Sequence, residues 1–198
     1  MSTTSRRTAG VLVACVAISG CMTIPSEIES IPGVLSASYS AVAGRSAGEF
    51  SASGTVELSG TGFRLGTWAF LQVPSRDGEP VRILASRELG NNLYDFVTIE
   101  IPDSVVAWRA YSVQPKCAAG DPTCASVMMS LGASPAGAHE PPQVRCSGTQ
   151  GTVTLATIRE GRVTGTFTTA GVCSSATSQV EAVSITGLFD VPTVNTGG

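Results

Sequence analysis

Leu35-Ser36-Ala37-Ser38-Tyr39-Ser40-Ala41 alternates an apolar side chain with a serine along its whole length. Successive side chains of an extended chain point to opposite faces. This stretch therefore lays Leu35, Ala37, Tyr39 and Ala41 on one face and three hydroxyls on the other. A helix would scatter both sets around its circumference. The stretch reads as a half-buried strand of an antiparallel sheet.

The same period continues downstream. After a turn from Gly44 to Gly48, Phe50, Ala52, Val56 and Leu58 alternate with Glu49, Ser51, Ser53, Thr55 and Glu57. Gly60-Thr61-Gly62 breaks the run, and Trp68 to Val73 follows with apolar residues on both faces, the pattern of a central strand. Asp77-Gly78 reads as a hairpin turn into Val81–Ala85, and Gly90-Asn91-Asn92 leads into Val97, Ile99 and Ile101. Val105 to Val113, with Trp108 and Tyr111, reads as a further strand after Pro102-Asp103. A short helix is expected only near Ser126 to Leu131. Ala133 to Gln143, holding Pro135, Gly137, His139, Pro141 and Pro142, is a loop.

Three strands close the chain. Val144 to Ala156 passes through Arg159-Glu160-Gly161-Arg162 into Val163–Phe167, a hairpin whose turn has two or three residues. Val183, Ile185, Gly187, Phe189 and Val191 then alternate with Ser184, Thr186, Leu188 and Asp190 until Pro192, where the strand is expected to stop and the tail 193–198 to fray. About nine or ten strands with regular turn signals predict an all-β fold, first an antiparallel β-sandwich and second a lipocalin-like or partly open β-barrel.

Upstream of Leu35 the pattern changes. Met22 to Gly33, with Pro25, Pro32, Glu27 and Glu29, has the composition of a linker. Before it, Arg6 and Arg7 precede an apolar run from Ala9 to Ile18 and the small residues Ser19 and Gly20, the three parts of an export signal. Ile18-Ser19-Gly20-Cys21 resembles the lipobox of bacterial lipoproteins. The resemblance implies cleavage before Cys21, a diacylglyceryl thioether on its sulfur, and acylation, such as by palmitate, of the new amine. Leu12-Val13-Ala14-Cys15 also fits that pattern, but cleavage there leaves an apolar core of only seven residues, Thr8 to Ala14. An uncleaved span is the other alternative; Thr8 to Ile24 barely reaches the ~17 residues that a spanning helix needs, and it includes Ser19. Met22 does not resemble the aspartate that retains lipoproteins at the inner membrane, which implies the outer membrane. The expected organisation is a signal peptide (1–20), a lipidated tether (21–33), one extracytoplasmic β-rich domain (34–192) and a tail (193–198).

Removing residues 1–20 leaves 10 basic and 15 acidic residues, a formal charge of −5. A nucleic-acid partner would call for a basic face, and attraction to anionic lipid for a polybasic cluster beside the anchor. Neither is present in the sequence. Behind Cys21 lie Cys117, Cys124, Cys146 and Cys173. An even number in an exported chain reads as two disulfides, for which three pairings exist. Cys117–Cys124 would close a turn-rich loop and Cys146–Cys173 would join neighbouring strands, contributing about 2.5 and about 3.5 kcal/mol by loop entropy. Zinc would call for closer cysteine pairs or neighbouring histidines, so no metal or other cofactor is expected beyond the lipid on Cys21.

One motif points to catalysis. Gly44-Arg45-Ser46-Ala47-Gly48 matches the nucleophile elbow G-x-S-x-G, with aspartates and His139 following in the order of a hydrolase triad. That motif works on a strand-to-helix turn, and here a strand pattern follows Gly48. Ser46 is therefore read as a hairpin residue and His139, the only histidine, as a solvated loop residue. Asp95, Glu100 and Asp103 fall close together, but Asp95 and Glu100 have opposite strand parity and Asp103 follows Pro102. They are read as solvated or loop residues and not as a glycosidase pair. Trp68 and Trp108, with Tyr94 and Tyr111, would make a sugar-binding platform if they faced outward together; their apolar strands favour a core position for both tryptophans. The sequence thus predicts a lipid-anchored envelope protein whose β domain has a structural role or binds an envelope protein or polymer, with carbohydrate binding through Trp68 and Trp108 as the second reading and acyl hydrolysis at Ser46 as the third.

Overall fold

The computed structural model describes residues 32–40, 47–56, 58–59, 62–63, 66–74, 79–102, 105–134, 142–159, 161–175 and 181–195. The described strands are β1 (Gly33–Tyr39), β2 (Gly48–Gly54), β3 (Leu58–Ser59), β4 (Gly62–Phe63), β5 (Trp68–Val73), β6 (Val81–Gly90), β7 (Leu93–Ile101), β8 (Arg109–Val113), β9 (Cys124–Ala133), β10 (Val144–Arg159), β11 (Arg162–Ser175) and β12 (Glu181–Asn195). No helix occurs among the described residues.

The fold is all-β. Ten strands form one sheet in the order β11-β10-β8-β9-β7-β6-β5-β12-β1-β2, and β3 pairs with β4 apart from it. Further pairings, β11 with β12 and β9 with β10, bring that order back on itself. The sheet thus curls around one core, as a β-sandwich or partly open β fold does. Its pairing is mixed, whereas the sequence suggested a purely antiparallel sheet: β5 runs parallel to β12, and β8 parallel to β9.

Inward positions follow the period read from the sequence. Leu35 and Ala37, Phe50 and Ala52, Val97 and Ile99, and Val153 and Leu155 are all buried in the main cluster. Each fully buried residue of Val, Leu or Phe size stabilises the fold by about 1.5–3 kcal/mol relative to exposure. β5 buries both faces, as its sequence implied. Ala69 and Leu71 join the main core, while Trp68 and Phe70, ring centroids 5.1 Å apart, pack with Val56 and Val194 in a second cluster on the other face. β5 lies between β6 and β12, a central position.

Two hairpins are resolved in detail. Gly90 pairs with Leu93, leaving Asn91 and Asn92 as a two-residue loop with φ of 53° and 57°, the left-handed pair that a type I′ turn requires. Arg159 pairs with Arg162, so the β10–β11 turn has two residues.

Three local expectations are corrected. Ser126 to Leu131 is strand β9 and not a helix: Val127, Met129 and Leu131 are buried on one side while Met128 is exposed on the other. Val127, Met128 and Leu131 share a face at helical spacing, whereas Val127, Met129 and Leu131 share one at strand spacing, and the pairing with β7 decides for the strand. β8 begins only at Arg109, because Trp108 adopts φ 59° and the Val106 N–H donates to the Tyr111 hydroxyl at 3.0 Å, folding the preceding residues into a turn. β12 continues through Pro192 to Asn195. The Thr193 N–H donates to Gly161 O at 2.6 Å, on the β11 side. Neighbouring N–H groups point to opposite edges, so the donor that Pro192 lacks would face the other edge. There β1 pairing has ended at Asp190 and β5 pairing begins at Thr193. Proline costs no ladder bond at that step.

Candidate functional site

The outer face of β2, β1, β12, β11, β10 and β8 is ordered by register. One row across the strands runs Glu49, Ser38, Thr186, Thr168, Thr152 and Ser112, and the next runs Ser51, Ser36, Leu188, Thr166, Thr154 and Ala110. In the first row five successive hydroxyls, Ser38 to Ser112, repeat about every 4.8 Å, while in the second Leu188 separates Ser51 and Ser36 from Thr166 and Thr154. Beneath them, Phe167 lies opposite Gly187 and Phe189 opposite Gly165, so large rings fill the core side. The rows shape an open saddle of about 520 Å³ lined by Ser36, Ser38, Ser51, Thr166, Thr168 and Thr186, with Leu188 53% exposed beside them. Such a surface offers donors and acceptors in a line, with one apolar contact.

A second cavity, of about 390 Å³, lies under the segment after β8 and is lined by Pro80, Glu100, Pro102, Lys116, Ser126 and Met128 among others. Glu100 is held by Arg82, whose Nε donates to Oε1 at 2.7 Å. The Cys117–Cys124 disulfide closes this segment. Within it Asp121 Oδ1 accepts the Thr123 N–H at 2.9 Å and the Thr123 hydroxyl at 2.8 Å. Those two bonds, the backbone one first, hold the exposed Asp121 carboxyl below its ordinary pKa.

The four cysteines behave as the sequence suggested. Cys117 is bonded to Cys124 and Cys146 to Cys173, the latter pair directly opposite each other on β10 and β11. Neither pair leaves thiolates for a metal, and no group of three or more His, Cys, Asp or Glu among the described residues could hold one. Cys21, Ser46, His139 and Asp103 lie outside the described residues.

The two tryptophans part company. Trp68 is buried in the second cluster, as expected of a core residue, whereas Trp108 is 78% exposed and does not belong to the core. No shared platform exists. Trp108 also holds φ 59°, a conformation that costs an L-residue about 1–2 kcal/mol. The sequence signal for its turn was weak, since Val105 to Val113 contains no glycine or proline.

Asp95 corrects the reading of a solvated carboxylate. It is 1% exposed; its Oδ2 accepts from Arg87 and its Oδ1 accepts the Gly132 N–H at 2.9 Å. Arg87 also donates to Glu49 O at 2.6 Å and lies over Phe50, 5.3 Å from the ring centroid. One ion pair therefore joins β6, β7, β2 and β9. Arg87 and Asp95 straddle the Asn91-Asn92 turn, and hairpin register sets them opposite each other. The bulge at Leu89 sets this register, because an unbulged two-residue turn would place Glu88 opposite Asp95, so the sequence carried no signal for the pair.

No protein-family model, no curated protein and no solved structure matches this chain.

Proposed function

We propose that this chain is an exported lipoprotein of a bacterial envelope, held at the outer membrane by lipid on Cys21, with a non-enzymatic β domain that serves as a structural or binding module for an envelope protein or polymer. The observation that carries the reading is the pair of disulfides behind the lipobox-like Ile18-Ser19-Gly20-Cys21. Disulfides persist in oxidising, extracytoplasmic compartments, the destination that such a signal specifies. Two or three acyl chains, each buried CH₂ worth about 0.8 kcal/mol, would hold the domain stably at a bilayer. The saddle across Ser36, Ser38, Thr168 and Thr186 is the surface that an extended polymer strand would follow, and the separation of Trp68 from Trp108 leaves less support for a tryptophan sugar platform.

The test is Cys21→Ala in the full chain expressed in a bacterium with the lipoprotein pathway. Radioactive fatty-acid labelling is expected to vanish and the domain to leave the membrane fraction. Label that persists in the variant would move the modification to Cys15 and refute Cys21.

A further inference from the structure

We propose that the end of the domain carrying Trp108 rests in the membrane–water interface, with Trp108, Val106 and Ile158 contacting lipid and Arg109 and Arg159 beside the headgroups. The inference rests on lipid attachment at Cys21 and adds which end of the domain meets the bilayer. Three observations place Trp108, Arg109, the β10–β11 turn and Pro32 at one end of the domain. Arg109 pairs with Leu155, so Trp108 stands one residue nearer the β10–β11 turn. That turn is framed by Arg159 and Arg162, which pair with each other. Arg162 in turn donates from both terminal nitrogens to Pro32 O at 3.3 Å, while its Nε bonds Asp190 at 2.9 Å. The chain arriving from Cys21 therefore enters the domain at the end where Trp108 is displayed.

The eleven residue steps from Cys21 to Pro32 can span at most about 40 Å. Such tethering gives a weak surface a millimolar effective concentration of bilayer. Val106, Trp108 and Ile158 are all exposed apolar side chains. Tryptophan concentrates at lipid interfaces because its ring is apolar and its N–H is polar, and arginine stems and heads suit the same depth. The exposed ring of Trp108 would bury there apolar surface that water leaves open. The acidic balance of the domain excludes a mainly electrostatic attachment, so the contact is expected with zwitterionic lipid as well as anionic lipid.

Tryptophan fluorescence tests this, because the chain has two tryptophans and Trp68 is buried. The full chain, processed by a bacterial host, is reconstituted into phosphatidylcholine vesicles with and without brominated acyl chains. The mass of the N-terminal peptide and co-sedimentation report lipidation; emission reports contact. The expected result is a blue shift relative to detergent-free soluble Cys21→Ala protein and loss of most of the Trp108 emission to brominated lipid. Trp108→Phe should remove both effects without altering co-sedimentation. An acylated, vesicle-bound protein whose Trp108 still emits as in water would overturn the contact while sparing the anchor. A chain without acyl mass at Cys21 would overturn both. Protection of Trp108 in native envelopes but not in pure-lipid vesicles would assign the patch to a protein and end the proposal.

Discussion

Substituting Asp95 by alanine is expected to destabilise the domain by about 3–5 kcal/mol, the cost of leaving a buried charge without its partner. The substitution strands the Gly132 N–H, which now bonds Oδ1, and leaves the Arg87 guanidinium bonded to Glu49 O alone among these partners. Asp95→Asn keeps an oxygen for Gly132 and loses the charge, so it should fall between alanine and the natural residue. Urea unfolding measures all three; an Asp95→Ala midpoint equal to the natural one would show that the pair is replaceable. The period of two correctly put Asp95 and Glu100 on opposite faces. What it could not convey was that the face of Asp95 is closed by β2 and β9, because closure comes from strands distant in sequence. Trp108 shows the converse: apolar neighbours made it look interior, and a single left-handed residue turned it outward.

At the scale of elements, the β1–β2 hairpin meets β5 backbone to backbone. Gly33 and Gly54 are cross-strand partners, and a Cβ on Gly33 would come 1.8 Å from Ala69 O, one on Gly54 2.2 Å from Thr67 O. Backbone carbonyls cannot swing aside as a flexible side chain can. Gly33→Ala should therefore push β1 from β5 and cost about 1–3 kcal/mol, the range for overpacking, read as a lowered melting temperature. An unchanged melt would mean that the corner has slack. Alternation in β1, β2 and β12 was plain in the sequence because each has a wet outer face, and β5 was plain as a short run apolar on both faces. The character of β9 was ambiguous because Val127 and Leu131 share a face with Met128 in a helix and with Met129 in a strand, and only pairing to β7 settles it. Gly33 was read as linker, since a glycine demanded by close approach looks the same in sequence as one demanded by flexibility.

For the whole molecule, β12 is the strand that brings the sheet back on itself: it pairs with β11 along one edge, and with β1 and then β5 along the other. Sequence periodicity announces which side chains face inward but not which strands are neighbours, so the two parallel pairings were beyond its reach. The cysteines conveyed more, since a pair separated by one hairpin has a neighbour to bond. The tail past Pro192 is where the difference between the two kinds of information can be measured. Read as a frayed end, residues 193–198 would be dispensable. In the fold, Thr193, Val194 and Asn195 pair with Leu71, Gln72 and Val73; Val194 is buried with Trp68 and Phe70; and Thr193 bonds Gly161 O. Burial of one valine together with a hydrogen bond is worth about 2–4 kcal/mol. A chain ending at Pro192 should unfold at a correspondingly lower urea concentration, and Trp68, losing its cover, should emit to the red. A chain ending at Asn195 should keep the natural midpoint and emission. Equal midpoints for the two truncations would mean that the β5–β12 link contributes nothing, and that the sheet is held by its remaining pairings alone.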